Sequence, residues 1–168
     1  MATISYKAQP AIHKTRGAVP LVGTSHLYTV TRLLWPAPIE HVLDTLLIHP
    51  SLHVCCGASH LGHIRVDADV LHRPTLVADA AHLPFRDRTL NSVLCDPPYN
   101  GRMRWNHDLL TELSRVATRR IIFQHWFIPA DMWGRYRKDH RFSLTALYAW
   151  QPRSYFGRVQ MISVFDAY

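Results

Sequence analysis

The segment of the sequence that most constrains the fold is a short apolar run that ends in an acid and two prolines. The run Val93–Cys95 is followed by Asp96-Pro97-Pro98-Tyr99. The apolar residues indicate a buried strand, and proline cannot continue its hydrogen-bond ladder, so the strand must end at Asp96. Ligands of open parallel sheets bind at the carboxyl edge of the strands. The sequence therefore predicts a carboxylate and an aromatic ring on a stiff loop at a ligand-binding edge.

Such a carboxylate suits the activation of a weakly nucleophilic amine. The exocyclic amine of a nucleobase attacks poorly because its lone pair is delocalised into the ring. Oxygen acceptors for its two N–H hydrogens promote attack if they are better aligned in the transition state than in the ground state. Fixed prolines supply alignment, and a tyrosine face can stack on a base taken out of its helix. Taken alone, the four residues are equally compatible with a strand followed by a simple proline turn.

Length and composition indicate one folded domain. The 168 residues are 48% hydrophobic and 18% charged, which is typical of a globular protein with a real core. No apolar run approaches the roughly 20 residues of a membrane span, and the N-terminus lacks the apolar block of a signal peptide, so we expect a cytoplasmic protein. The three cysteines form neither a disulfide framework nor a Cys-x-x-Cys pair, and the 12 histidines are scattered. We therefore expect no metal site.

Positive charge is concentrated in the second half of the chain. Lys and Arg number 19 against 12 Asp and Glu, for a net charge of +7. Residues 1–96 carry a net charge of only +1, whereas residues 97–168 carry +6. Arginine dominates in this half, which favours bidentate contacts with phosphate. The distribution predicts a polyanionic partner that docks after the Asp-Pro-Pro-Tyr segment.

Periodicity predicts alternating strands and helices. We expect residues 1–20 to be a basic, flexible arm and residues 21–168 to be a single domain. The apolar spacing predicts helices over 38–49, 106–118 and 129–138, and strands over 52–56, 63–66, 75–78, 90–95, 120–127, 143–150 and 159–165. The last two strands form an antiparallel pair across a loop at 152–157.

The first two connections between strands are too short for ordinary crossover helices. Nine residues separate Gly57 from Asp67, and five separate Asp69 from Thr75. A parallel crossover normally needs a dozen or more residues. We therefore expect the first two crossover helices to be shortened. One face of the sheet would then be thinly covered, which predicts a homodimer or a partner subunit that covers it.

In its order of elements the chain resembles the class I S-adenosylmethionine-dependent methyltransferases. The motif Asp96-Pro97-Pro98-Tyr99 resembles the catalytic motif of the amino-methyltransferases, which methylate adenine N6, cytosine N4 or guanine N2 in nucleic acids. The resemblance covers roughly residues 36–168. It implies an α/β fold with a Rossmann-like, mostly parallel sheet that closes in a C-terminal antiparallel hairpin, and S-adenosylmethionine as cofactor.

The resemblance also assigns cofactor-binding residues. The turn after the first strand corresponds to the family's glycine loop, Asp67 to the acid that accepts hydrogen bonds from the ribose, and Asp79 and Ala80 to the position that reads the adenine. The implied cofactor contacts are Cys56, Gly57, Ala58, Ser59, Asp67, Asp79 and Ala80. The chain departs from the family at Ser59, where the second glycine is usual, and at His53, where an acid is usual.

The same resemblance assigns the reacting side of the site. Asp96 and the Pro97 carbonyl would accept the amine hydrogens, Pro98 would stiffen the loop, and Tyr99 would stack on the base. The predicted substrate-binding residues come immediately after this motif in the sequence: Asn100, Arg102, Arg104 and Trp105. Gln124, His125 and Trp126 could line the same pocket. Trp35 could cap the cofactor pocket or simply pack at a helix entrance.

The function implied is methyl transfer to an exocyclic amine of a nucleobase, with adenine N6 the first choice and DNA or RNA left open. The main alternative is a degenerate methyltransferase that acts as a nucleic-acid-binding or scaffold subunit. A third alternative, methylation of a protein side-chain amide, uses a similar motif with asparagine in place of Asp96.

Overall fold

The computed structural model describes residues 35–98, 108–125, 141–150 and 159–168. Its elements, in chain order, are α1 (Ala37–Leu46), β1 (Ser51–Val54), β2 (Ile64–Asp67), a 3-10 helix (Val70–His72), β3 (Leu76–Val77), β4 (Leu90–Cys95), α2 (Asp108–Val116), β5 (Ala117–His125), β6 (Phe142–Trp150) and β7 (Gln160–Ala167). The predicted arm, the predicted helix over 129–138 and the loop at 152–157 lie outside the described residues. The division into an arm and one domain stays a prediction.

All seven of these strands belong to one sheet, in the order β3-β2-β1-β4-β5-β7-β6. Strands β1 to β5 pair in parallel, and β7 runs antiparallel between β5 and β6. The mostly parallel sheet and its closing antiparallel hairpin are therefore confirmed. The order reverses between β1 and β4, which makes the carboxyl ends of these two strands the topological switch point where ligands of open sheets bind.

In the described part of the chain, one helix covers each face of the sheet. The apolar side of α1 carries Ile39 and Leu43, which pack with Leu94 of β4 and Ile122 of β5. On the other face, α2 packs its apolar side chains, Leu113 among them, against the opposite side of the same strands. The middle of β5 and the end of β4 are buried on both faces, which explains their continuous apolar runs Ile121–Phe123 and Val93–Cys95.

The crossovers are as short as the spacing predicts. Residues 55–63, between β1 and β2, contain no helix, and the next connection contains only the single turn Val70–His72. Gly62 allows the first loop to pack directly on β1, because its φ is +85° and a Cβ atom there would lie 3.1 Å from His53 Cβ. The second helix runs into β5 without a loop, so this strand begins three residues before the predicted start.

Exposed apolar side chains gather beside the short edge strand β3. Val70, Leu71 and Val77 are 65%, 82% and 53% exposed. The expected second copy or partner subunit stays a prediction. Among the described residues, no helix has both the length and the apolar character needed to cross a membrane.

Candidate active site

Four of the predicted site positions lie at the carboxyl edge of the parallel strands. Gly57 follows β1, Asp67 ends β2, Asp79 follows β3 and Asp96 follows β4. Because β3, β2, β1 and β4 are consecutive in the sheet and adjacent strands are about 4.8 Å apart, these positions extend along roughly 15 Å of one edge. The structure thus brings together residues that are 39 positions apart in the sequence.

The carboxylate of Asp67 holds the loop after β1 in place. Its Oδ2 accepts a hydrogen bond from the Gly57 N–H at 2.8 Å, and its Oδ1 accepts one from the Asp69 N–H at 2.9 Å. The side chain is only 12% exposed. Because a carboxylate offers about four acceptor positions, each oxygen retains capacity for one more donor.

A histidine that the sequence analysis did not single out lies against the same acid. His72, on the 3-10 helix, places Nδ1 3.3 Å from Asp67 Oδ2. The side chain of His72 is 27% exposed, so it borders the edge of the site. No motif connects these two residues, and only the position of the 3-10 turn brings them together.

Ser59 is part of the support of the loop. The residue is 1% exposed, its hydroxyl accepts from the Leu61 N–H at 3.2 Å, and it donates to Glu40 on α1 at 3.4 Å. Cys56 is likewise buried, and this burial raises the pKa of its thiol to about 11. At these two positions the side chains face the protein, so the backbone is what the loop presents to a ligand.

Asp79 presents an accessible carboxylate beside β3. Its Oδ1 accepts a hydrogen bond from the Ala81 N–H at 2.9 Å, and this bond lowers the pKa of Asp79. The side chain is 62% exposed, so it can meet a ligand from solvent. Ala80, by contrast, buries its methyl group in the core beneath.

Asp96 stands at the switch point. Its N–H donates to the Val54 carbonyl at 3.4 Å, which extends the pairing of β4 with β1 by one residue. Asp96 is partly buried, Pro97 is buried and Pro98 is exposed. Side chains alternate along a strand, so Asp96 lies on the same face as Leu94, which is the face covered by α1. Tyr99, Asn100, Arg102, Arg104 and Trp105 lie outside the described residues.

A set of three side chains buried under α1 connects β1 and β5, the strands on the two sides of β4. The Trp35 ring stacks on His53 of β1, with centroids 5.1 Å apart, and its Nε1–H donates to Gln124 Oε1 of β5. Burial lowers the pKa of His53 to about 3, and the smaller opposing effects of the Leu61 backbone and Asp67 do not offset it. The chain therefore has a neutral ring where the resemblance implies an acid.

The other predicted residues near the end of β5 divide between the two faces. Gln124 lies under α1 with Trp35, as described above. His125 faces the α2 side, where its Nε2 lies 2.7 Å from Ser163 Oγ of β7. Trp126 lies outside the described residues.

The same fold occurs in known methyltransferase structures. A TehB-like S-adenosylmethionine-dependent methyltransferase from Corynebacterium glutamicum matches with a TM-score of 0.57 and 11% identity, over 77% of this chain and 86% of that one. The tRNA (uracil-54, C5)-methyltransferase of Pyrococcus abyssi matches with a TM-score of 0.60 and 11% identity, over 95% of this chain but only 45% of that one. Magnesium protoporphyrin IX methyltransferase from Synechocystis matches with a TM-score of 0.52 and 15% identity, over 88% of each chain.

These similarities establish the fold of class I methyltransferases. No protein-family model and no curated protein matches the sequence. Identities of 11% to 15% carry no information about the substrate. Of these similar structures, one is a tRNA methyltransferase and another a porphyrin methyltransferase, so the shared fold does not indicate one substrate. The substrate of this chain must therefore be inferred from its own site.

Proposed function

We propose that the protein is an S-adenosylmethionine-dependent methyltransferase that acts on an exocyclic amine of a nucleobase in DNA or RNA, with adenine N6 the first candidate. The observation that carries this proposal is the position of Asp96. Its carboxylate and the two prolines after it follow β4 directly, beside the end of β1, at the switch point of a sheet with the strand order of the class.

The edge of the sheet fits the proposed cofactor. Asp67 retains acceptor capacity beyond its two backbone hydrogen bonds, with His72 against Oδ2, which suits a ribose hydroxyl. Asp79 offers an exposed carboxylate farther along the edge, and the Gly57 turn offers backbone without a side chain. The cofactor, when bound, supplies an electrophilic methyl group.

The chain's own residues would hold and orient the amine. In this proposal Asp96 accepts one amine hydrogen and the Pro97 carbonyl accepts the other, which frees the nitrogen lone pair for attack. Pro97 and Pro98 restrict the backbone, so that these acceptors need little reorganisation during the reaction. Tyr99 stacks on the base. No general base is needed before transfer, since the proton can leave to water afterwards.

Charge supports a nucleic acid as the substrate. Residues 97–168 carry a net charge of +6, and this half of the chain follows the proposed catalytic segment. A similar structure is a tRNA methyltransferase, although another methylates a porphyrin. The proposal of a polynucleotide therefore depends on charge and on the acceptor geometry at Asp96.

The test is methyl transfer from labelled S-adenosylmethionine to separate pools of DNA, tRNA and ribosomal RNA, followed by digestion to nucleosides. We expect label on one amine-bearing nucleoside, and its loss in Asp96→Ala with cofactor affinity retained. Asp44→Ala is the control, because Asp44 is an exposed acid of α1. Absence of label from every pool would overturn the proposed activity, and loss of cofactor affinity in Asp96→Ala would assign Asp96 a structural role.

One observation favours the alternative of a scaffold subunit without activity. Both oxygens of Asp67 bind backbone N–H groups, and the Ser59 hydroxyl supports its own loop. These features would persist in a protein that had lost its cofactor. Calorimetric titration with S-adenosylmethionine separates the two functions, because a scaffold subunit would bind none.

A further inference from the structure

A cavity lies at the edge of the sheet opposite Asp96. Its volume is about 390 Å³, and its lining residues are Arg88, Thr118, Arg141, Ala167 and Tyr168. These residues lie before β4, at the start of β5, before β6 and at the end of β7. The six residues of β4 separate the cavity from Asp96, which corresponds to roughly 20 Å.

Two described aspartates near this cavity are already paired with other arginines. Asp87 accepts from Arg115 at 2.7 Å, and Asp166 accepts from Arg120 at 2.6 Å. Arg88 is exposed and forms no ion pair with any residue that the structure describes. The positive charge of Arg88 at the cavity is therefore not neutralised by these carboxylates.

Contacts with α2 and β6 hold Arg141 at the cavity. Its Nη2 donates to the Ser114 carbonyl at the end of α2, and its guanidinium lies 5.2 Å from the centre of the Phe142 ring. Thr118 contributes little as a donor, because its hydroxyl already donates to the Leu90 carbonyl at 3.1 Å. The donor that the cavity offers to a ligand is thus the Arg88 guanidinium.

The backbone at Arg88 adopts a conformation that arginine disfavours. Its φ is +54°, in the left-handed region where glycine and asparagine are the usual residues. The Arg88 N–H donates to the Arg115 carbonyl at 2.8 Å, which fixes this geometry. A side chain at a strained backbone position is a candidate for function.

We propose that this cavity binds a phosphate group, and that the phosphate belongs to the backbone of the polynucleotide substrate. Guanidinium groups match the geometry of phosphate oxygens and bind them bidentately. A contact about 20 Å from Asp96 fixes the position of the polynucleotide without reading its sequence. The identity of the source rests on the proposed function, whereas the phosphate chemistry rests on the cavity alone.

The test compares Arg88→Asn with Arg86→Asn. Asparagine tolerates the left-handed backbone, so Arg88→Asn removes the guanidinium without a folding penalty. Arg86 is an exposed arginine two residues earlier that does not line the cavity. Both variants are titrated against a fluorescently labelled single-stranded oligonucleotide of about 20 nucleotides at several salt concentrations.

We expect Arg88→Asn to bind severalfold more weakly for every sequence tried. The slope of log K against log salt should fall by about 0.7, as expected for one lost phosphate contact on a single strand. Arg86→Asn should change the affinity and the slope less. Equal effects of the two substitutions, or no effect of Arg88→Asn, would overturn the proposal.

Two further measurements identify the source of the phosphate and distinguish failure of this proposal from failure of the proposed function. If the binding of inorganic phosphate depends on Arg88 and the affinity for the oligonucleotide does not, the polynucleotide is overturned as the source of the phosphate. Calorimetry with S-adenosylmethionine should give the same affinity for Arg88→Asn as for the unchanged protein, because the cavity lies at the opposite edge. Arg88-dependent oligonucleotide binding without methyl transfer to any pool would contradict the proposed function alone.

Discussion

The Gly57 N–H donates a 2.8 Å hydrogen bond to Asp67 Oδ2, so the acid at the end of β2 fixes the loop that follows β1. This bond links the two strand ends that flank the proposed cofactor. Because no helix stabilises the connection between these strands, one carboxylate replaces much of the support that a crossover helix would give. The shape of the loop and the proposed binding of the cofactor would therefore depend on the same side chain.

Replacement of Asp67 by asparagine should affect both properties. The amide provides one acceptor fewer and no charge, so one backbone N–H loses its partner. We expect the free energy of unfolding to fall by about 1–2 kcal/mol and the affinity for S-adenosylmethionine to fall about tenfold. Urea denaturation and calorimetry measure the two effects.

The control for this change is Asp69→Asn. Asp69 accepts from the Leu71 N–H at the start of the 3-10 helix, and asparagine serves equally well at such a position. The free energy of unfolding of Asp69→Asn should stay within about 0.5 kcal/mol of that of the unchanged protein. An Asp67→Asn variant that matched Asp69→Asn in both measurements would show that the Asp67 charge is dispensable.

The strands and the line of acids could be predicted from sequence because their signals are local. The bounds of β4 follow from its apolar run and from the prolines after it. The acids Asp67, Asp79 and Asp96 follow because each comes at the end of a predicted strand. Their common edge is then a consequence of parallel pairing alone.

The contacts across the sheet could not be predicted in this way. Trp35 and Gln124 are 89 positions apart, and they meet only because β5 lies beside β4 under α1. The contact of His72 with Asp67 depends on the placement of a single 3-10 turn. The cavity at Arg88 depends on four chain segments at one edge, which no spacing in the sequence indicates.

The neutral state of His53 predicts a pH dependence of stability. Its pKa is about 3 in the folded protein, against 6.5 ordinarily, so the unfolded chain takes up a proton between these values and the folded protein does not. The contribution of the neutral His53 to the free energy of unfolding should therefore be fully present above pH 6.5 and be lost as the pH is lowered toward 3. The contribution is at most about 5 kcal/mol, at about 1.4 kcal/mol per pH unit.

Leucine at position 53 removes this titration. Neither ring nitrogen of His53 has a hydrogen-bond partner of normal geometry in the described part of the chain, so His53→Leu should cost little at pH 7. Denaturation at pH values from 4 to 7 should then show a flatter profile than that of the unchanged protein. The exposed residue His60 gives the matched control, His60→Leu, which should keep the original slope. A slope in His53→Leu as steep as in the control would exclude His53 as its source.

The three cysteines should differ in reactivity. Burial raises the pKa of the Cys56 thiol to about 11 and that of the Cys95 thiol well above its usual range, whereas Cys55 is partly exposed. A thiol with a pKa of 11 is about one part in 1,000 thiolate at pH 8, and the thiolate is the reactive form.

Alkylation with iodoacetamide followed by peptide mass spectrometry measures this difference. We expect one fast-reacting site, Cys55, and modification of Cys56 and Cys95 only after denaturation. Cys55→Ser should abolish the fast phase. Rapid alkylation of Cys95 in the native protein would show that the end of β4 opens to solvent.

Arg115 should be the surface arginine whose loss most affects stability. Its guanidinium binds Glu112 at 2.6 Å and Asp87 at 2.7 Å, and it donates to the carbonyls of Phe85 at 2.7 Å and Leu83 at 3.0 Å. These bonds connect α2 to the segment between β3 and β4, which contains no helix. Lysine cannot reproduce the forked set of N–H donors of arginine. Arg115→Lys should therefore lower the free energy of unfolding by about 1–3 kcal/mol. This range allows for solvent screening, because the Arg115 side chain is 30% exposed.

The exposed residue Arg119 provides the comparison for this effect. Arg119→Lys should change stability by less than about 0.5 kcal/mol in the same urea titration. Because the segment held by Arg115 includes Asp79 and Arg88, Arg115→Lys should also weaken S-adenosylmethionine binding and oligonucleotide binding together. Equal urea midpoints for the two lysine variants would mean that packing of Leu83 and Phe85, and not the guanidinium, holds the segment between β3 and β4 against α2.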